Sequence, residues 1–515
     1  MVPLTLSRRG RRVLPVLLPA AVAWLVSACA TNPVTGKRQF TLMSEAQEIQ
    51  IGHESDAEVR KEMGVYDDPE LQRYVEQVGT RLAASSERPN LPWHFTIVDV
   101  AAVNAFALPG GYISITRGIL PYLDDEAELA GVLGHEIGHV TARHAAEQYT
   151  RAMGAQLGLA GLGIFVPEAR PFGQAAESGL GLLFLKYSRD DELQADQLGA
   201  GYAARNGWDP KAVPEFLATL GRLDATTDRA GVPNWLLTHP QPTDRVERIQ
   251  TTVQTLEQTA GSREWTTDRD AYLRRIDGLV FGDDPREGVV RGREFLHPGL
   301  RFALRFPPGW DISNGKTQVV AKQPGADVYM LLQAGQASPG ESVRSLAVNG
   351  MARAGFRQLD GAPASISGLS AYVGTYEGAI QGIGDAVVRA AHISDGRTVY
   401  LVAGLAAAGT YPQVEGLFTA SIRSFRSLTS AEAEAIRPNR VDLYVARAGD
   451  TWQSIAERSG NTVQPATLAI MNNHAVDDPP RPGKRLKIVV AGQREPCAFH
   501  LMGAGFLGSW IQAVE

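Results

Sequence analysis

Two histidines flank a glutamate in the segment His135-Glu136-Ile137-Gly138-His139 of this 515-residue chain. At about 3.6 residues per helical turn, side chains four positions apart project from one face of a helix. Both imidazoles can then bind one metal ion, with Glu136 beside it as general base. The glutamate would accept the proton of an attacking water and pass it to a departing amine. The spacing therefore predicts a metal-dependent hydrolase with Glu136 as its catalytic base.

A third ligand is needed, and two side chains downstream are candidates. His144 would lie about 140° around an unbroken helix from His139, so that it could not easily reach the same ion. Glu192 is followed four residues later by Asp196, so one carboxylate could bind the metal while the other orients a ligand imidazole. A thiolate site is excluded because the chain has two cysteines. The predicted ligands of one zinc ion are His135, His139 and Glu192.

Long helices must position these side chains. Ser44 and Gln47 form a capping-box pattern, and Asp68-Pro69 is typical of a helix start. The predicted helices cover residues 44–63, 68–84, 125–153 and 174–206. The third carries the two histidines and the fourth carries Glu192. Between them the apolar segment 154–166 is too short to cross a membrane, and we expect a mobile cover or a core helix there.

Two β-type runs lie between the second and third helices, at residues 93–98 and 112–116. We expect the second run to be an edge strand, to which an extended substrate adds through main-chain hydrogen bonds. Selectivity would then depend on access to the site. The residues of this predicted substrate strand are Gly111, Tyr112, Ile113 and Ser114.

The N-terminus has the pattern of an export signal. Arginines precede the apolar run 13–26, and Ser27-Ala28-Cys29 follows it in the manner of a bacterial lipobox. We therefore expect cleavage before Cys29, lipid modification of that cysteine, and a periplasmic lipoprotein anchored in the outer membrane. Membrane association would run through the lipid alone. The net charge of -6, without a long basic run, argues against nucleic-acid binding.

Two further units follow the helical region. Alternating apolar residues between 291 and 428 predict an α+β domain, and Phe306-Pro307-Pro308-Gly309-Trp310 resembles the PsbP/Mog1-like fold. Residues 440–490, with Gly449-Asp450-Thr451 and Pro482-Gly483-Lys484, resemble a LysM module of β-α-α-β order. That resemblance implies peptidoglycan binding, but a degenerate module that serves for packing or docking is an equal alternative.

Several ordered motifs between residues 32 and 260 resemble metallopeptidase family forty-eight, the family of the CAAX prenyl endopeptidase and HtpX-type gluzincins. They are Asn-Pro-Val-Thr-Gly at 32–36, Ser-Glu-Ala-Gln-Glu at 44–48, Asn-Ala-Phe-Ala-Leu-Pro-Gly-Gly at 104–111, the 135–144 segment, Ser188-Arg189 before Glu192 and Asp196, and Thr238-His239-Pro240 before Arg245. The resemblance implies a zinc endopeptidase, of a periplasmic lipoprotein branch without membrane spans.

The same resemblance places His239 near the metal. Its imidazole would either stabilise the tetrahedral oxyanion, as a catalytic residue, or occupy the open zinc position and hold the enzyme latent. The residues expected around the ligands are Asp196, His144 and Arg245.

We therefore expect a multidomain chain with a mostly α zincin-type peptidase domain and a small sheet, then an α+β domain and a LysM-like module. Its function would be hydrolysis of unfolded or misassembled envelope proteins, and the alternative is a peptidoglycan-associated binding or assembly protein. The predicted units are a signal peptide 1–28, a tether 29–43, the peptidase domain 44–260, a linker 261–290, the α+β domain 291–428, the LysM-like module 440–490 and a tail 491–515.

Overall fold

The computed structural model describes residues 29–151, 187–226, 239, 243–336, 340–380, 382–458 and 463–491. The predicted signal peptide and the 154–166 segment lie outside the described residues, as does the predicted tail after Ala491. Among the helices that the structure describes, none is long and apolar enough to span a bilayer.

The N-terminal region is mostly helical, with a small three-stranded sheet against the helices and a separate two-stranded sheet. Its helices are α1 (Glu45–Met63), α2 (Pro69–Ala84), α3 (Glu126–Thr141), α4 (Arg189–Arg205), α5 (Ala212–Thr226), α6 (Thr243–Ala260) and α7 (Arg269–Ile276). Its strands are β1 (Cys29–Thr31), β2 (Arg38–Phe40), β3 (His94–Val98), β4 (Ala105–Leu108) and β5 (Tyr112–Thr116). Apolar side chains of α2, α3, α5, α7 and the sheet form one continuous core. This confirms the predicted helical peptidase region.

Side-chain caps set where the site helices begin. Asp125 accepts a hydrogen bond from the backbone N–H of Glu128 and starts α3. Ser188 and Asp191 form a capping box at the start of α4. The helix that carries Glu192 therefore begins at Arg189, because the Ser188 backbone is extended. Residues 174–186 of the predicted helix lie outside the described residues.

The predicted edge strand is central. β5 pairs in parallel with β3 on one side and antiparallel with β4 on the other. Both of its edges are occupied, so the substrate strand assigned to Gly111–Ser114 is wrong. All five side chains of residues 112–116 are buried, including the polar Ser114 and Thr116, as is typical of a strand covered on both faces. In the described part of the sheet the two edge strands beside β5 are β3 and β4.

Two segments assigned as connectors are packed parts of the peptidase region. In the predicted tether, Asn32 donates to the Ala142 carbonyl at 2.9 Å and Met43 is buried. In the predicted linker, α7 buries Tyr272, Leu273 and Ile276 in the main core. Neither segment is a free spacer, because both bury side chains against the peptidase helices.

The region after residue 288 is rich in strands. A four-stranded sheet is made of β7 (Val289–Arg291), β8 (Glu294–His297), β9 (Phe302–Arg305) and β17 (Arg426–Ser427). An antiparallel seven-stranded sheet follows the order β10 (Asp311–Asn314), β11 (Val319–Lys322), β12 (Val328–Gln336), β16 (Thr398–Ala407), β15 (Gly384–Ser394), β14 (Leu369–Ile380) and β13 (Arg357–Ile366). The helices here are α8 (Val343–Arg353), α9 (Tyr411–Arg423) and α10 (Ser430–Ala435).

The C-terminal unit has the order β18 (Asn439–Val445), α11 (Trp452–Arg458), α12 (Pro465–Met471) and β19 (Arg485–Ala491). Its sheet is continued by β6 (Val280–Phe281), which precedes the strand-rich domain. Lys487 is fully buried and donates to the Leu123 carbonyl at 2.5 Å, just before α3. This unit is therefore joined to the peptidase region by packing as well as by the chain.

Glycines allow α3 and α4 to cross closely. A Cβ on Gly134 would lie 3.0 Å from the Gly199 Cα, and one on Gly138 would lie 3.1 Å from the Ala195 Cα. On the α4 side, a Cβ on Gly199 would lie 2.8 Å from the backbone nitrogen of His135. These neighbours are backbone atoms, which cannot turn aside as a flexible side chain can. The crossing therefore requires small residues at these positions.

We predict that Gly199→Ala destabilises the protein although alanine favours helices. Overpacking against backbone should lower the free energy of unfolding by about 1–3 kcal/mol. Gly201→Ala, on the same helix, is the control, because its nearest neighbour would be the Arg205 guanidinium at 3.9 Å. That change should stabilise by up to about 1 kcal/mol. Urea denaturation measures both, and equal stability of the two variants would contradict the close crossing.

Candidate metal centre

Helix α3 brings two imidazoles to one point. His135 and His139 lie one turn apart, and their Nε2 atoms are 3.0 Å from each other. Both side chains are buried, with ring planes at 73°. Two Nε2 lone pairs that converge in this way suit a shared cation.

Helix α4 supplies a carboxylate to the same point. One oxygen of Glu192 lies 3.5 Å from the His139 Nε2 and the other lies 3.8 Å from the His135 Nε2. His239 adds its Nδ1, which is 3.4 Å from the His135 Nε2 and 2.8 Å from Glu192. Each of these four residues offers a ligand atom within 4.8 Å of the others. Zinc bonds of about 2.0–2.1 Å place tetrahedral ligands about 3.3–3.5 Å apart, so the set fits one zinc ion.

Glu136 faces this cluster and is fully buried. Among the described residues neither of its carboxylate oxygens has a hydrogen-bond partner, and the His239 Nε2 lies 3.7 Å from one of them. Burial raises the pKa of Glu136, although the imidazoles of His239 and His135 oppose the shift. A buried carboxylate without hydrogen bonds suits a site that admits a polar reactant.

A buried ion pair orients His135 from behind. Asp196 lies 2.9 Å from the His135 Nδ1, and Arg245 donates to both Asp196 oxygens at 2.5 and 2.8 Å. Burial alone would raise the pKa of Asp196, but the Arg245 guanidinium outweighs it and holds that pKa at about 2. The ionised carboxylate accepts the Nδ1 proton, which leaves the His135 Nε2 lone pair facing the site. Arg245 also contacts Glu192 at 2.8 Å.

His144 contacts His139, although regular helical spacing predicts that the two side chains lie on different sides of the helix. Helix α3 ends at Thr141, and Arg143 adopts the left-handed conformation with φ 63°. Arg143 is held there by hydrogen bonds to Glu48 at 2.6 Å and to the Met43 carbonyl at 2.7 Å. The unbroken helix 125–153 is therefore wrong, and so is the 140° separation.

The turn places the His144 Nδ1 2.9 Å from the His139 Nδ1. His144 thus contacts the side of His139 that faces away from the Nε2 cluster. Its own Nε2 lies 2.9 Å from the Gln194 amide oxygen. Burial lowers the pKa of His144 and outweighs the carboxylate of Asp191, so that the ring carries one nitrogen-bound proton.

Sequence reasoning missed two side chains at the site. Tyr187 stacks on the His139 ring, with centroids 3.9 Å apart and planes at 25°. Gln194 lies on α4, two residues after Glu192. The sequence indicated Tyr187 only through its position directly before the Ser188 cap. For Gln194 the sequence held no signal, because its contact depends on the turn at Arg143.

Strand β4 runs beside the cluster. Ala107 lines the same small cavity as His139 and Tyr187. The sheet edge nearest the metal centre within the described residues is therefore β4, which lies in the 104–111 motif.

We predict that Arg245→Met weakens zinc binding by about 10–100-fold, because Asp196 and Glu192 lose their common cation and His135 loses its fixed orientation. Arg248→Met, at an exposed position of α6, is the matched control. Competition with a chelating dye measures the zinc Kd of the purified chain. An unchanged Kd for Arg245→Met would contradict the orienting role.

A helix carrying two histidine ligands and a glutamate, with a third ligand from a second helix, defines a metallopeptidase centre of the gluzincin type. Residues 69–253 match Peptidase family M48, and all the side chains of the cluster lie inside that match. This part of the chain is thus similar to peptidase family M48, whose metal is zinc.

Characterised relatives share this region. The beta-barrel assembly-enhancing protease of Yersinia pestis is 29% identical over 386 residues, 70% of this chain and 77% of that protein. The protein of the same name from Escherichia coli (strain K12) is 32% identical over 226 residues, 42% of this chain and 46% of its own length. Mitochondrial metalloendopeptidase OMA1 of Schizosaccharomyces pombe is 31% identical over 225 residues, covering 42% and 64%. The chain thus spans less than half the length of the E. coli relative.

Similarity to solved structures is slight. Cyanobacterial PsbP from Synechocystis sp. PCC 6803 gives a TM-score of 0.23 at 13% identity, over 27% of this chain and 95% of that chain. The PsbP/Mog1-like fold of residues 291–428 stays a prediction.

Proposed function

We propose that this chain is a zinc-dependent endopeptidase of the bacterial cell envelope that cleaves unfolded or misassembled envelope proteins. The observation that carries the activity is the buried cluster of His135, His139 and Glu192 with Glu136 beside it. The substrate class rests on relatives named as beta-barrel assembly-enhancing proteases.

His135, His139 and Glu192 would hold the zinc, which when bound acts as a Lewis acid toward water and the scissile carbonyl. Glu136 accepts a proton from the attacking water at a carboxylate oxygen and later delivers it to the departing amine. The raised pKa of Glu136 suits both halves of this transfer. Burial disfavours the ionised carboxylate, which makes Glu136 a stronger base toward the water, and the protonated acid can then protonate the amine. Asp196 and Arg245 keep the His135 ring in position throughout.

An extended substrate would pair with β4 rather than with β5. The edge position of β4 and the closeness of Ala107 to His139 support this assignment. Main-chain pairing does not depend on side chains, so it suits an enzyme that acts on many unfolded sequences. Access to the buried centre would then decide which proteins are cleaved.

We infer that His239 holds the enzyme latent. Its Nδ1 lies among the ligand atoms, where a fourth protein ligand would take the position that a reacting water needs. The alternative role, stabilising the oxyanion, requires the ring to leave Glu192 and face the substrate.

The envelope location rests on the N-terminal pattern. A cleaved signal before Cys29 and a lipid on that cysteine remain proposals. Because Asn32 and Met43 pack on the peptidase region, a lipid at Cys29 would hold the metal centre close to the membrane surface.

For the C-terminal unit we propose a docking role. The buried Lys487 near the start of α3 supports it, and so does the Asn473 side chain, which accepts a hydrogen bond from Thr219 at 3.2 Å. The β-α-α-β order agrees with a LysM-like module, and peptidoglycan binding stays a prediction from its motifs.

The activity is tested with Glu136→Gln, which preserves the shape of the site but cannot accept a proton. We expect the purified chain to cleave an unfolded protein, and we expect the variant or a chelator to reduce the rate by at least about 100-fold. The zinc content of the variant should equal that of the native chain. Proteolysis that survives both treatments would refute a zinc peptidase.

His239→Ala tests latency. If the imidazole occupies the fourth zinc position, its removal should raise the rate of cleavage of the same unfolded substrate severalfold. Initial rates at equal zinc content measure the effect. A fall would instead favour oxyanion stabilisation, and an unchanged rate would exclude both roles.

A further inference from the structure

The two ligand imidazoles must each keep a proton on Nδ1, because each presents Nε2 to the metal centre. For His135 the acceptor of that proton is the Asp196 carboxylate. For His139 the neighbour is another imidazole, with the His144 Nδ1 at 2.9 Å. A neutral imidazole can donate or accept at this nitrogen, so this contact does not by itself decide which ring holds the proton.

Only one direction of the hydrogen bond between the two Nδ1 atoms is compatible with metal binding. If His139 donates from Nδ1, its Nε2 lone pair faces the metal, and His144 must carry its own proton on Nε2. If His144 donated from Nδ1 instead, the proton of His139 would move to Nε2 and block the ligand position. The tautomer of His144 therefore determines whether His139 can bind zinc.

The His144 Nε2 lies 2.9 Å from the Gln194 amide oxygen, which can only accept a hydrogen bond. We propose that Gln194 is a positioning residue that fixes the His144 proton on Nε2, and through it the metal-binding tautomer of His139. The inference rests on the proposed zinc function and extends it to a residue outside the ligand set. The Asp191 carboxylate, 3.7 Å from the same nitrogen, acts in the same direction.

Helix α4 thus orients both histidines of α3, one through Asp196 and the other through Gln194 and His144. The two connections differ in strength, because an amide oxygen carries no net charge and Asp196 is ionised. Loss of Gln194 should therefore weaken zinc binding without abolishing it.

The test is the zinc Kd of the full chain carrying Gln194→Met, which keeps the length of the side chain and removes the acceptor. Gln197→Met, at an exposed position of α4, is the matched control. Competition with a chelating dye should show binding about 10–100-fold weaker for Gln194→Met and unchanged for the control. Gln194→Leu repeats the test should the methionine variant fold poorly. Equal Kd values for Gln194→Met and Gln197→Met would overturn the proposal.

A double-mutant cycle tests whether Gln194 acts on His139 through the His144 tautomer, which we call the relay, or only by packing. In a His144→Phe background the relay is absent, so adding Gln194→Met should not change the zinc Kd further. If the two substitutions weaken zinc binding by factors that multiply in the double variant, the relay is overturned. A native chain that binds no zinc would refute the proposed function itself, which distinguishes that failure from failure of the relay.

Discussion

The close crossing of α3 and α4 is the constraint on which the metal centre depends. Two helices meet at Gly134, Gly138 and Gly199 with no room for a Cβ at the contact. Larger residues would separate the helices, and the carboxylate of Glu192 would then move away from the Nε2 atoms of α3. The ligand geometry is thus a consequence of glycine positions that take no part in the chemistry.

That crossing buries several charged side chains, and the positive charge of Arg245 compensates part of the negative charge. Glu136, Glu192 and Asp196 lie together away from water, and Arg245 contacts two of them. A divalent cation among them would further reduce the repulsion between carboxylates. Asp196 and Arg245 also orient the His135 imidazole, so charge compensation and ligand geometry depend on the same residues.

Helical periodicity was sufficient to predict the pairing of His135 with His139 and of Glu192 with Asp196, because each pair lies within one regular helix. It failed at His144, since a left-handed Arg143 is stabilised by Glu48, which is remote in sequence and gives no local signal. The central position of β5 was missed for a similar reason, because pairing partners are set by tertiary packing. The apolar pattern of α7 was hidden within a polar segment taken as a linker.

The central claim is that one zinc ion binds in the α3–α4 cluster through nitrogen and oxygen atoms. X-ray absorption at the zinc edge, combined with the metal content of the purified chain, tests it most directly. The account predicts one zinc per chain with nitrogen and oxygen ligands at about 2.0–2.1 Å. A chain without zinc, or a sulfur ligand at about 2.3 Å, would contradict it.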